Sequence, residues 1–275
     1  MSRVAGNDWS GAPEIWTVRW REDMLGDWPS QFWPGCGYHT ETREPLPDPL
    51  IVPDGPAEAG VHRFFLIERE ASLSPDQSAL LTNYVTAVSE GAGHLDVQVR
   101  SIRALIGRRH LLLVCPRPLA RQALAAVIRY YELRRLLFAC RDKLKNPLAM
   151  IGGYGHLTHA VRARDLGRQK DVNGKTQETL RIRTQVAMAQ SLMEAPGTLD
   201  DPLATRLFHE LVQQDGLVAE YAALEDILVL LSETWSTAND RLTEFRYFLY
   251  EMIAEILIIA LLAADLILRG LDWAP

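Results

Sequence analysis

The spacing of apolar positions along this 275-residue chain changes once, near Pro118, from short strand-like runs to long stretches of helical period. His62 to Glu68 (HRFFLIE) and His110 to Cys115 (HLLLVC) are compact apolar runs suited to buried strands, the second ended by Pro116 and Pro118. Leu95 to Val99 alternates weakly and is expected to join them in a small sheet. Between the first two, Ser74-Pro75-Asp76-Gln77 offers an N-cap, a proline at N1 and a capping-box glutamine, which predicts a helix from Pro75 to about Glu90.

From Pro118 the pattern is helical. Leu124, Val127, Tyr131 and Phe138 fall near helical spacing, and Pro147 is expected to end that helix. A second basic helix is expected over Leu157 to Lys170, a turn at Asp171-Val-Asn-Gly174, and a helix from Thr176 to Ala195 before Pro196-Gly197. Asp200-Asp201-Pro202 then supplies acidic capping residues and a proline at N1. After Pro202 the next proline is Pro275, and Gly216 interrupts one or two helices rich in Leu, Ala and Glu. A continuous helix over residues 217–268 would run about 78 Å, so such a stem requires partners along its length.

The expected class is therefore mainly α: a small α+β N-terminal head, then basic helices, then a long C-terminal helical stem ending in a transmembrane helix. The expected divisions are an irregular arm at 1–60, an α+β domain at 61–117, a basic helical region at 118–200, an acidic stem at 201–247 and the membrane segment at 248–268. The arm holds five of the seven tryptophans and many prolines, which exclude a long helix, and at most a short strand is expected around Ile15 to Arg19.

Phe248 to Leu268 (FLYEMIAEILIIALLAADLIL) is long enough to cross a hydrocarbon core of about 30 Å. It carries three acids, Glu251, Glu255 and Asp265, and an Asp at a helix centre costs about 2.5 to 3.5 kcal/mol on insertion scales. Glu255 and Asp265 are about 80° apart around the axis and near opposite ends of the apolar run, where that cost falls. The competing reading is a core helix buried in an oligomer. Arg241 and Arg246 precede the segment, only Arg269 follows, and Trp273 stands at a plausible far interface, which places the N-terminal bulk in the cytoplasm. No basic region followed by an apolar run opens the chain, so the first thirty residues do not read as a secretory signal.

The C-terminal residues resemble the family named for being required for meiotic nuclear division, membrane-anchored mitochondrial proteins with bacterial relatives. The likeness rests on Glu255-Ile-Leu-Ile-Ile-Ala-Leu-Leu-Ala-Ala-Asp265, on Asp240-Arg241-Leu242 in the stem, and on Val186-Ala-Met-Ala-Gln-Ser191. Ala254 and Ile256 stand where the family has Leu and Trp, and the resemblance covers roughly the last 100 residues. It implies a membrane-anchored homo-oligomeric scaffold, with mitochondrial members linked to ribosome and RNA organisation.

Charge adds a division that hydropathy does not show. Residues 100–183 hold 19 of the 29 Lys and Arg against five acids, a net of +14, between ends of net −9 and −11. The basic residues singled out as a surface are Arg129, Arg134, Arg135, Arg141, Lys145, Arg162, Arg164 and Arg168. Such a block attracts nucleic acid or anionic lipid, or pairs with an acidic partner, and the acidic stem of the same chain is the favoured partner. Cys36, Cys115 and Cys140 are too few and too scattered for a disulfide framework or a four-ligand zinc site.

Candidate chemistry is sparse. Ile151-Gly-Gly-Tyr-Gly-His156 lacks both nucleotide-loop signatures and reads as a kink between helices. His156 and His159 share a helical face with no carboxylate or cysteine to complete a metal set, and Cys36 with His39 is a half-site without a second half. No nucleophile elbow, HExxH or catalytic cysteine motif is present, so the expectation is a non-enzymatic protein with no cofactor, no metal and no small-molecule substrate. The leading reading is a homo-oligomeric scaffold or tether in the cell inner membrane, single-pass with its bulk in the cytoplasm. The alternatives are an oligomeric ion channel lined by Glu255 and Asp265, and a nucleic-acid or ribosome-binding adaptor using the basic middle segment.

Overall fold

In a computed structural model of the chain, the residues described are 13–20, 38–45, 61–68, 74–87, 94–107, 110–196, 199 and 201–272. The protein is mainly α, with a small α+β head and a long C-terminal helix, as the sequence leads one to expect. Contacts divide it into two compact units, residues 1–137 with 188–220, and residues 138–187 with 221–275.

The first unit is built on a six-stranded sheet of β1 (Glu14–Trp20), β2 (Tyr38–Pro45), β3 (Val61–Ile67), β4 (Leu95–Val99), β5 (Ile102–Ile106) and β6 (His110–Val114). Their order is β2-β1-β3-β6-β5-β4, with β3 and β6 parallel and every other neighbouring pair antiparallel. The parallel pair lies at the centre, and each residue of β6 is buried. Helix α1 (Pro75–Ala87) makes the crossover, and its N-terminus closes as predicted. Gln77 N–H donates to Ser74 Oγ at 3.2 Å and Ser74 N–H to Gln77 Oε1 at 3.0 Å.

Alternation along β3 sends neighbouring residues to opposite faces of the sheet. Phe65 and Ile67 meet Leu81 and Val85 of α1 together with Leu105, Leu112 and Val114. Phe64 stacks on Tyr131 of the long helix α2 (Arg117–Tyr154) at 6.1 Å, and the Tyr131 hydroxyl donates to the Gly107 carbonyl at 3.3 Å. Helix α4 (Pro202–Gln214) packs beside β4. Its N-cap Asp201 accepts from Leu203 N–H at 2.7 Å and Ala204 N–H at 3.3 Å, with Pro202 at N1.

The second unit is helical: the end of α2, most of α3 (Gln169–Glu194) and nearly all of α5 (Leu217–Asp272). Leu157, Val172, Ala238 and Leu242 form a buried cluster flanked by Tyr154 and Val161. Gly216, at φ +70°, makes the turn between α4 and α5 in a backbone region that glycine enters without steric penalty.

Several expectations are corrected. The arm contributes β2 as well as β1, so it is more than an irregular segment with one strand, and β5 was not foreseen. Pro147 lies inside α2 and does not end it. A proline there loses its own N–H bond and crowds the carbonyl four residues back, a cost offset by the burial of Leu136, Leu137, Cys140 and Leu144 in the preceding turns. Residues 157–168 form two 3-10 turns, Gly155–Thr158 and Ala163–Arg168, in place of the expected basic helix. Arg162 is extended there, and Asp165 caps the start of the second turn by accepting from Arg162 N–H at 3.0 Å. Residues 171–174 are helical because Val172 is needed in the cluster with Leu242, and the exposed Gly174 costs about 1 kcal/mol, less than that burial returns. The continuation of α1 to Glu90, Cys36, Trp9, Trp28, Trp33, Asp200 and Trp273 lie outside the described residues.

Candidate membrane segment and basic surface

Helix α5 begins as a one-sided helix. Leu217, Leu224, Leu228, Leu231, Trp235, Ala238 and Leu242 are buried, at intervals of seven, then alternating four and three, so they make a single seam. After Leu242 burial stops. Tyr247, Phe248, Tyr250, Ile253, Ile256, Leu257, Ile258, Ile259, Leu261, Leu262 and Leu266 are exposed. Four consecutive positions, Ile256 to Ile259, cover the whole circumference at 100° per residue, so the apolar surface is a cylinder and not a stripe. The helix is long and apolar enough to cross a bilayer, and none of that stretch is buried.

Glu251, Glu255 and Asp265 are exposed on this cylinder. At 100° per residue they fall within an arc of about 80°, and Asp226, Glu233, Asp240 and Glu244 fall in the same arc. That acidic line is opposite the buried seam, and all seven residues are exposed. The acidic side of the stem thus faces away from the helices it packs on.

The basic residues do not form one surface. Arg129 is corrected outright: it is 5% exposed and its Nη1 lies 2.7 Å from Glu132 Oε2. Arg134 is half-buried and its Nε lies 3.2 Å from Asp215 Oδ2, the same oxygen that accepts from the Tyr130 hydroxyl at 2.8 Å. Here a base of the middle segment meets an acid of the last third, at the turn that leads into α5. Burial and the neighbouring Asp215 carboxylate push the Tyr130 phenol well above its ordinary value, so it remains a donor. Arg135 is partly buried, while Arg141, Lys145, Arg162, Arg164 and Arg168 are exposed. Arg141 lies over the Phe138 ring at 4.7 Å and Lys145 is 2.7 Å from Asp142.

His156 has the carboxylate the sequence did not reveal. Its Nε2 is 3.6 Å from Asp165 Oδ1. Burial alone would raise the Asp165 pKa, but the Arg162 N–H and His156 hold it below the usual carboxylate value. Two residues do not make a metal site, and among the described residues no group of three or more His, Cys, Asp or Glu is placed to hold one. Cys115 and Cys140 are buried, which pushes their thiols up to about 12 and about 11 and keeps them protonated at neutral pH.

Hydropathy alone does not reveal the acidic line from Asp226 to Asp265, which emerges only when the acids are projected around one unbroken helix. Compared with known proteins, the chain matches no family model and no curated protein.

Proposed function

We propose that the protein is a membrane-anchored, non-enzymatic scaffold or tether, homo-oligomeric, with residues N-terminal to the span held on the cytoplasmic side of the inner membrane. The observation that carries this reading is the exposure of the apolar end of α5 around its full circumference. A segment apolar from Phe248 to Leu268 except at Glu251, Glu255 and Asp265 brings the hydrophobic effect to bear on insertion from every side, whereas a partner helix would cover only one. Arg241 and Arg246 on the near side and the single Arg269 beyond it support the orientation. The resemblance to the family required for meiotic nuclear division supports anchoring and self-association.

The test compares the full chain with one ending at Arg246 by carbonate and detergent extraction. The full chain is expected to need detergent and the shorter one to be released by carbonate; release of both would leave α5 as a core helix of an oligomer. Light scattering of the detergent-solubilised protein then reads subunit number, and a mass of one chain would remove self-association.

A second reading, an ion-conducting oligomer, is favoured by the single arc that gathers Glu251, Glu255 and Asp265. Replacing Glu255 and Asp265 by Ala is expected to abolish cation flux into liposomes under that reading, and unchanged flux would end it. The nucleic-acid reading loses support from Arg129 and Arg134, which are engaged by Glu132 and Asp215.

A further inference from the structure

The tip of one helical hairpin in the second unit is placed beside the start of the apolar segment. Two contacts set the direction of its helices. Tyr154, the last residue of α2, packs edge-on against Trp235 of α5 at 5.5 Å. Gln169, the first residue of α3, donates through Nε2 to Thr243 Oγ1 at 3.3 Å. Farther back along the hairpin, Lys143 Nζ donates to Gln185 Oε1 at 3.1 Å, so α2 and α3 run antiparallel and the 155–168 turns are the end that points along α5 toward its C-terminus. Thr243 precedes Phe248 by five residues, about 7.5 Å of helix.

The tip sorts its charges. Arg162, Arg164, Arg168 and Lys170 are exposed. The acids close to them turn onto the hairpin itself: Asp165 is buried, accepting from Arg162 N–H and facing His156, and Asp171 accepts from the Tyr154 hydroxyl. On α5 at the same level, Asp240 and Glu244 lie on the side opposite Ala238 and Leu242, which the tip covers, and Glu244 Oε2 is 3.1 Å from Arg241. Arg246, four residues after Leu242, falls on the tip's side. The outcome is a cationic tip backed by an acidic strip on the far side of the stem.

We infer that this tip is a collar for the anionic phospholipid headgroups of the membrane that α5 enters. The inference rests on the membrane-anchor reading. Its cations lie within about a Debye length of the level at which the apolar cylinder starts, where an anionic leaflet holds its negative potential. Each Lys or Arg so placed strengthens association with such a surface by roughly fivefold. A nucleic acid would compete for the same few ångströms with the headgroups of the membrane, whose negative charge repels it.

The test reconstitutes the full chain in phosphatidylcholine vesicles and measures, with spin-labelled lipids, the preference of the protein's boundary for phosphatidylglycerol over phosphatidylcholine. A preference of about threefold or more at low salt is expected, falling at least about twofold in 0.5 M NaCl and in the R162Q/R164Q/K170Q variant. Arg168 is left in place because its guanidinium lies over the Tyr154 ring at 5.6 Å. R162K/R164K keeps the charge and is expected to keep the preference, which separates loss of charge from loss of fold. An inserted chain with no preference, or one equal in wild type and the triple variant, overturns the collar alone. A full chain left outside the vesicles brings down the anchor and the collar together. A triple variant that loses binding to a single-stranded RNA oligomer while its lipid preference stays unchanged assigns the tip to nucleic acid and overturns the proposal.

Discussion

The two halves of α5 are both rich in Leu and Ile, yet they are solved by different media. In residues 217–242 the large side chains recur at three and four, and Leu231, Trp235 and Leu242 are fully buried. In residues 247–266 they occupy every side, and Tyr247, Leu261 and Leu266 are 68%, 69% and 75% exposed. A helix can seat one stripe on a neighbour, so the first half finds its partners within its own chain. A cylinder needs a solvent that surrounds it. Arrangement, more than total hydrophobicity, decides which surroundings each half requires.

The sharpest way to break that contrast is to make the cylinder costly to insert. Arg at Ile258 and Leu261, near the middle of the span, adds about 5 to 7 kcal/mol on insertion scales, and the I258R/L261R chain is expected in the carbonate-released fraction. Retention of that variant in the membrane pellet would show that the segment is held by protein. The seam should respond in the other measurement. Trp235→Ala is expected to lower stability by about 3 to 5 kcal/mol, read as a lower unfolding midpoint in detergent, while extraction stays as in wild type. Asp215→Ala deprives the Tyr130 hydroxyl of its acceptor and Arg134 of its ion-pair partner where α5 begins, and about 2 kcal/mol of destabilisation is expected. The smallest effect concerns the tip of the hairpin. Because the Asp165 pKa is lowered in the fold, its stabilising contribution is complete above about pH 4 and lost as pH falls through the folded value. Wild type and Asp165→Asn should therefore differ in midpoint near neutrality and converge on acidification; a gap independent of pH would assign the effect to shape.

Much of this fold could be read from local signals. The capping box at Ser74 and Gln77, the Asp201-Pro202 start of α4 and the apolar runs of β3 and β6 are written in adjacent residues, and each formed as read. What escaped depends on residues far apart. Val172 pulls Asp171 to Gly174 into helix because Leu157, Ala238 and Leu242 await it, and nothing within the four residues says so. Pro147 is carried through α2 by its own burial and that of Leu137, Cys140 and Leu144 in the turns before it. The strand β5 did leave a trace: Ile102, Ala104 and Ile106 continue the alternation of Val97 and Val99 across a tight turn in which Arg100 takes φ 52°. Of the candidate site, the long apolar end of α5 was legible from hydropathy. The split of the arginines was only half legible: the i,i+3 spacing of Arg129 and Glu132 offers their pairing, but packing alone decides that Arg129 is buried while Arg162 stays at the surface.

Helix α5 contains no proline, and no glycine before Gly270, from Leu217 to its end. It therefore lacks the residues at which helices bend sharply, and it behaves as a shaft. The azimuth of Glu251, Glu255 and Asp265 is set by Trp235 and Leu242, which are buried farther back along the same helix. If α5 is the anchor proposed above, a small rotation of the seam would turn the acids through the same angle without moving the span in depth, and a shift in the packing of the stem would reach the membrane as torque.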